Sequence, residues 1–248
     1  MRPEAGESEG GQSAQTADRA IRVLETVARH GPCRIADVAR ETNLERRIVG
    51  RLMTSLVGGG LIERGASAGQ YDLGSRLIEL GELAEHRNGL LTRARPEVEK
   101  LMRAASATTV LHKVYDGYIA PVLVRTPNDV VSVGYPRGLR IAFHEGTGRA
   151  ALAWLPEGTI DATLARLAPD DRLRCEAGLA EVRTGGVAFS FGEVTRGVVA
   201  IGAAVRDASG LPVGVLVVVA PEGRHPERYS SELAAAARRI SIAGDSAT

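Results

Sequence analysis

The stretch from Arg34 to Leu61, RIADVARETNLERRIVGRLMTSLVGGGL, constrains what this chain can fold into more than any other. Ile35, Val38 and Ala39 fall on one face of a short helix. Ile48, Leu52 and Leu56, with Val49, Met53 and Val57 beside them, form an apolar stripe on a second. Thr42-Asn43-Leu44 leaves room only for a tight turn between them. The second helix opens on Glu45-Arg46-Arg47 and keeps Arg47, Gly50, Arg51 and Thr54 off its apolar face. Two short helices joined this closely have the layout of a helix-turn-helix, whose second helix can enter the major groove of DNA.

The flanking residues extend this reading. From Thr16, Ala20, Leu24, Val27 and Ala28 recur at helical spacing, with Ile21 beside them, until Gly31-Pro32 stops the run. Gly58-Gly59-Gly60 ends the third helix. LIERGASAGQYDL then reads as a hairpin, with strands at Leu61 to Arg64 and Gln70 to Leu73 around the small-residue loop Gly65 to Gly69. Residues 15–74 are therefore expected to form a winged helix-turn-helix, preceded by a disordered tail at 1–14, where apolar residues are lacking. From Ser13 to Gly74 nine arginines face seven acids, a net of +2, so the module is only mildly basic.

Composition sets outer limits. A chain of 248 residues with 44% apolar residues can fill two modest cores. The net charge of +1 gives no global basicity, so any DNA contact has to come from local arginines. Cys33 and Cys175 lie in unrelated segments, which argues against a disulfide framework or a zinc ribbon and for two small buried hydrophobes. The first residues lack an apolar stretch, and no run of about 18 apolar residues follows, so a cytoplasmic location is expected. The five histidines show no metal-ligand spacing. There is no GxSxG elbow, and Gly146-Thr147-Gly148-Arg149 lacks both the remaining glycine of a dinucleotide loop and the lysine of a P-loop. The chain is not expected to be an enzyme, and it implies no cofactor.

Residues 75–89 read as a linker helix, and Pro96 is expected to open the next helix because proline suits a first turn. A second domain spans 90–248. VLHKVY and YIAPVLVR flank Asp116-Gly117, a dipeptide favouring a type I′ hairpin turn. Val130 to Tyr135 reads as a third strand. Helices are expected at Gly146 to Trp154, Thr159 to Ala168 and Leu173 to Arg183. Long strands follow at Val198 to Arg206 and Val213 to Ala220, and a helix at Ser231 to Ile240. Strands joined by short turns and covered by helices make the class α+β with an antiparallel sheet.

In this order the pieces resemble the IclR family of bacterial transcription regulators, from about residue 13 to 243. DRAIRVLETVARHG, IADVARETNL, RLMTSLVGGGLIER and GQYDLGSRLIELG carry the likeness in the first domain. FHEGTGRAALAWLP and GGVAFSFGEVTRGVVAIGAAVRDASGLPVGVLVVVAP carry it in the second. The resemblance implies a homo-oligomer, dimer or tetramer, whose winged domains bind pseudo-palindromic double-stranded operators while a GAF-like C-terminal domain binds a small effector.

For DNA, Arg47 and Arg51 are expected in the groove, Arg46 in the groove or on phosphate, and Arg64 and Gln70 near the wing. The family usually has a Ser-Thr pair where this chain has Arg47-Ile48, which points to a different operator preference. Carried over by motif, the effector residues are Gly146, Thr147, Phe191, Ala200, Gly202, Val217 and Val219. These strand positions are apolar here, so the expected ligand is more apolar than a simple keto acid, such as an aromatic or branched molecule, with any carboxylate held by Thr147 or backbone N–H groups near Gly146. Two alternatives stay open: that the valines are only core and the pocket is small, and that the second domain serves oligomerisation alone.

Overall fold

The computed structural model describes residues 8–128, 132–136 and 138–242, and among them the chain divides into two compact units, 1–87 and 88–248. In the first unit, α1 (Ser8–His30), α2 (Ile35–Thr42) and α3 (Arg46–Gly58) pack around a core of Val23, Val27, Val38, Val49, Leu52, Met53 and Leu56. The stripe of α1 runs through Val23 rather than Ile21, which is 56% exposed, because a helix with surplus apolar residues can bury only one narrow face. The tail expected through residue 14 is corrected in part: α1 begins at Ser8, and residues 1–7 lie outside the described part. A helix already anchored by packing extends at one hydrogen bond per added residue, so its start needs no apolar signal.

Asn43 makes the turn by adopting a left-handed conformation, φ 54° and ψ 39°, as the C-cap of α2. The wing follows as β2 (Ile62–Arg64) and β3 (Gln70–Leu73), and β1 (Cys33–Arg34), not foreseen from two residues, pairs with the other edge of β3. Next in this unit comes α4 (Arg76–Arg87), with no buried residue of its own.

The second unit opens with α5 (Gly89–Ala105), so Pro96 does not start a helix but sits inside one. Asn88 supplies the start instead, its side chain accepting from Leu91 N. Pro96 lies on the exposed side of α5, where losing one backbone hydrogen bond is tolerated best.

Six strands form one antiparallel sheet in the order β6-β5-β4-β9-β8-β7, comprising β4 (Thr108–Val114), β5 (Tyr118–Arg125), β6 (Ile141–Ala142), β7 (Ala188–Phe191), β8 (Val198–Arg206) and β9 (Pro212–Pro221). The expected strand at Val130 to Tyr135 is not one: 130 and 131 lie outside the described residues, 132–136 are irregular, and β6 takes the edge beside β5. Thr108 Oγ1 donates to Val133 O at 2.7 Å, so this segment is tied to the sheet by a side chain instead of a ladder. The β4–β5 turn is not type I′ either. Only Gly117 has positive φ (+83°), whereas I′ would force Asp116 into the left-handed region as well, where its Cβ is disfavoured.

Side chains alternate across the sheet. Leu111, Val199, Ile201, Leu216 and Val218 face α5 and α9 (Ser230–Ile242). Val110, Val215, Val217 and Val219 face α6 (Arg149–Leu152), α7 (Glu157–Leu164) and α8 (Pro169–Gly185). Burial on both faces explains why β9 is apolar almost throughout.

Candidate functional site

Two surfaces carry the chemistry, one in each unit. On α3, Val49, Leu52, Met53 and Leu56 turn into the core, which leaves Arg46, Arg47 and Arg51 exposed along the opposite side. Arg47 and Arg51 are four residues apart and so lie on one face. Arg64, on the wing, is also exposed, while Gln70 is half-buried and its backbone is committed to the wing loop, its carbonyl accepting from Gly65 N at 2.8 Å. None of these four guanidiniums has a carboxylate or hydrogen-bond partner among the described residues. That contrasts with Arg40, which pairs with Asp37 at 3.0 Å, and Arg22, which donates to Thr42 O at 2.7 Å. Unneutralised cations with open donors are what a phosphate backbone or a guanine edge requires.

The second surface is a cavity of about 70 Å³ on the α6–α8 face of the sheet. Thr147, Ala200, Val217 and Val219 line it, as the sequence suggested. Ser190, Val194, Thr195, Tyr135, Leu139 and Ile141 line it too, and sequence reasoning missed them. Phe191 does not belong to the cavity: it is 67% exposed and stacks on Phe189 with ring centroids 6.1 Å apart. The parity of β7 decides this, since Ser190 pairs with Ala200 and therefore shares its face, which turns Phe191 to the other side. The alternation of Ser190 and Phe191 along one strand was the signal available in the sequence.

Gly146 and Gly202 line no wall but shape the site. Gly146 has φ +44°, and a Cβ there would fall 2.7 Å from Ser190 Oγ. A Cβ on Gly202 would fall 2.8 Å from Thr147 Cβ, so the bare strand lets the Thr147 turn sit directly on the sheet. Thr147 and Ser190 are buried residues whose hydroxyls make no hydrogen bond with a described residue and stay open to the cavity, in a mostly apolar lining that also holds Thr195 and Tyr135.

A buried clamp holds the rim. Arg149 donates to both carboxylate oxygens of Glu193 at 2.7 Å and to Phe189 O at 2.8 Å, while Gly146 N donates to Glu193 Oε2 at 3.3 Å. Burial works to raise the Glu193 carboxyl, but the hydrogen bonds and charge of Arg149 outweigh it and hold the group below the usual carboxylate range. Behind the cavity, His112 is fully buried, and its Nε2 lies 2.6 Å from the Tyr135 hydroxyl. Burial drives its pKa down to about 4, against a weak opposing effect of the Val215 backbone, and Nδ1 is left without a hydrogen bond.

A winged helix-turn-helix with unpaired arginines along its second helix, followed by an α+β domain with an internal cavity, defines a DNA-binding transcription regulator. Residues 16–66 match the IclR helix-turn-helix domain, and residues 83–243 match the bacterial transcriptional regulator IclR C-terminal domain. The chain is 30% identical over 240 residues to the HTH-type transcriptional regulator Rv1719 of Mycobacterium tuberculosis, covering 89% of each. A crystal structure of an IclR regulator from Alicyclobacillus acidocaldarius superposes with a TM-score of 0.84 at 24% identity, over 92% of this chain and 98% of that one. An IclR homologue from Microbacterium hydrocarbonoxydans, solved with 4-hydroxybenzoate, gives a TM-score of 0.76 at 23% identity, over 92% and 98%. The chain belongs to the IclR family of transcriptional regulators, which are not enzymes.

Proposed function

We propose that the protein is a cytoplasmic regulator that binds a pseudo-palindromic operator as a homo-oligomer through Arg46, Arg47, Arg51, Arg64 and Gln70, and that a compact, largely apolar organic effector in the C-terminal cavity modulates this binding. The observation that carries the effector half is the lining itself: Ala200, Val217 and Val219 form an apolar floor, and Thr147 and Ser190 offer two open hydroxyls. Apolar burial at about 25 cal/mol per Å² supplies most of the affinity in such a site, and the hydroxyls orient one polar group. A ring with a single acid or hydroxyl substituent has this chemistry. The Microbacterium homologue, crystallised with 4-hydroxybenzoate, a ring bearing both an acid and a hydroxyl, supports a small aromatic ligand for this fold.

In α4, Ile78, Leu80 and Leu83 are exposed at 68%, 41% and 46%, an apolar surface suited to pairing with a second copy. Ligand-dependent change transmitted through this linker helix would alter the spacing of paired recognition helices, which half-sites must match.

One observation favours a second reading. The cavity holds about 70 Å³, whereas ligand pockets usually span about 300–1,000 Å³. Seating a ring therefore requires Tyr135 and Leu139 to yield, and if they do not, the domain serves oligomerisation alone. A thermal-shift series with the full chain separates the readings. Benzoate and 4-hydroxybenzoate are expected to raise the melting temperature more than pyruvate or glyoxylate. Stabilisation by the small keto acids alone rejects the apolar effector, and none by any of the four favours the oligomerisation module.

A further inference from the structure

A groove of about 590 Å³ lies elsewhere in the C-terminal domain and shares no lining residue with the effector cavity. It exists because β7 pairs with β8 only from Val199 to Gly202, so β8 runs on from Ala203 to Arg206 without a neighbour on that side. Ala204, Ala208 and Ala234 give it accessible apolar surface, and Trp154, Arg206, Arg238 and Asp207 are among its other lining residues.

The charges in the groove are unbalanced. The Arg206 guanidinium carbon sits 4.2 Å from the centroid of the Trp154 ring, which fixes the plane of the fork. The base of the same residue is held as well, its backbone N–H donating to Ser241 Oγ at 2.9 Å. Neither Arg206 nor Arg238 has a carboxylate or side-chain hydrogen-bond partner among the described residues. Asp207 forms no ion pair with either: its Oδ1 accepts from Ser209 N, Ser209 Oγ and Leu211 N inside its own turn, so its single negative charge leaves the two guanidiniums in excess. A stacked guanidinium presents its N–H edge in the geometry that accepts a carboxylate bidentately, and less of its side-chain entropy remains to be lost on binding.

We propose that this groove is a second ligand site, for a compact organic carboxylate whose oxygens meet Arg206 and Arg238 and whose apolar body lies against Ala204, Ala208 and Ala234. The volume falls within the range of small-molecule pockets, about 300–1,000 Å³. The alanine wall favours an organic acid over a bare inorganic anion, which gains nothing from apolar surface.

Trp154 is the single tryptophan of the chain and lines this groove but not the effector cavity, so a fluorescence change that Arg206→Gln removes is assigned to the groove. Cyclohexanecarboxylate, which does not absorb at the exciting wavelength, is titrated into the full chain. The expected result is a saturable fluorescence change with a midpoint of about 1 mM or below. Arg206→Gln is expected to weaken it at least about tenfold, and Arg238→Gln, at an exposed position, to weaken it less. Four results overturn the site: no saturable change, a change retained in Arg206→Gln and Arg238→Gln alike, an equal response to the neutral cyclohexanemethanol, or an equal response to inorganic phosphate, which would make it an inorganic-anion site. The outcome is independent of whether the effector cavity binds anything.

Discussion

His112 is held far from its ordinary chemistry by burial, and its environment has a measurable cost. An unfolded histidine titrates near pH 6.5, whereas folded His112 titrates at about 4. Above about pH 6.5 both states are neutral and the residue contributes no pH dependence. As pH falls toward 4 the unfolded chain takes up a proton that the folded chain refuses, so stability declines by about 1.4 kcal/mol per unit, about 3 kcal/mol in all. Urea unfolding at pH 7 and pH 5 is expected to show about 2 kcal/mol of this loss in the wild type and much less in His112→Gln. An equal loss in both would mean that His112 is not buried in its neutral form. The sequence placed His112 on a strand but could not show Tyr135 beside it, because the two are joined through an irregular segment with no periodic pattern. Ser190 and Phe191 make the same point from the other side: the strand parity was available, yet the motif likeness drew attention to the larger side chain.

Elements were most legible where one residue type has one physical role. The long apolar runs of β8 and β9, the glycine stop after α3 and the wing hairpin all stand where run length and turn chemistry put them. Pro96 misled because its usual place is a first turn, while the actual helix start is set by Asn88 and the cost of an interior proline is limited to one missing bond on an exposed face. The short strands β1 and β6 have only two residues each and owe their existence to partners distant in sequence. The Arg149–Glu193 clamp likewise joins the start of α6 to the β7–β8 connection, 44 residues away. Removing a partner from a fully buried pair costs about 3–5 kcal/mol. The Glu193 side chain is 39% exposed, so solvent screening reduces the expected loss for Glu193→Gln to about 1–2 kcal/mol. Chemical denaturation checks this, and an unchanged midpoint would remove the clamp from the account of the rim.

At the scale of the whole molecule, the division into a DNA-binding unit and an α+β unit was readable from the order of elements, since the first is rich in local helical signals and the second in strand pairs. Charge alone was uninformative at +1 overall, because exposed arginines on α3 and the wing are offset by acids on other surfaces. The account therefore rests on where unpaired guanidiniums are presented rather than on how many there are. Genomic fragments selected by the full chain in vitro supply a specific duplex, and fluorescence anisotropy at fixed salt compares it with a scrambled duplex of equal length. Specific binding is expected to exceed non-specific binding by at least about 10³-fold. Arg47→Ala and Arg51→Ala are each expected to cost about 1–3 kcal/mol on the selected duplex and far less on the scrambled one. Wild-type affinity for the selected duplex in both variants would contradict the claim that α3 reads the operator.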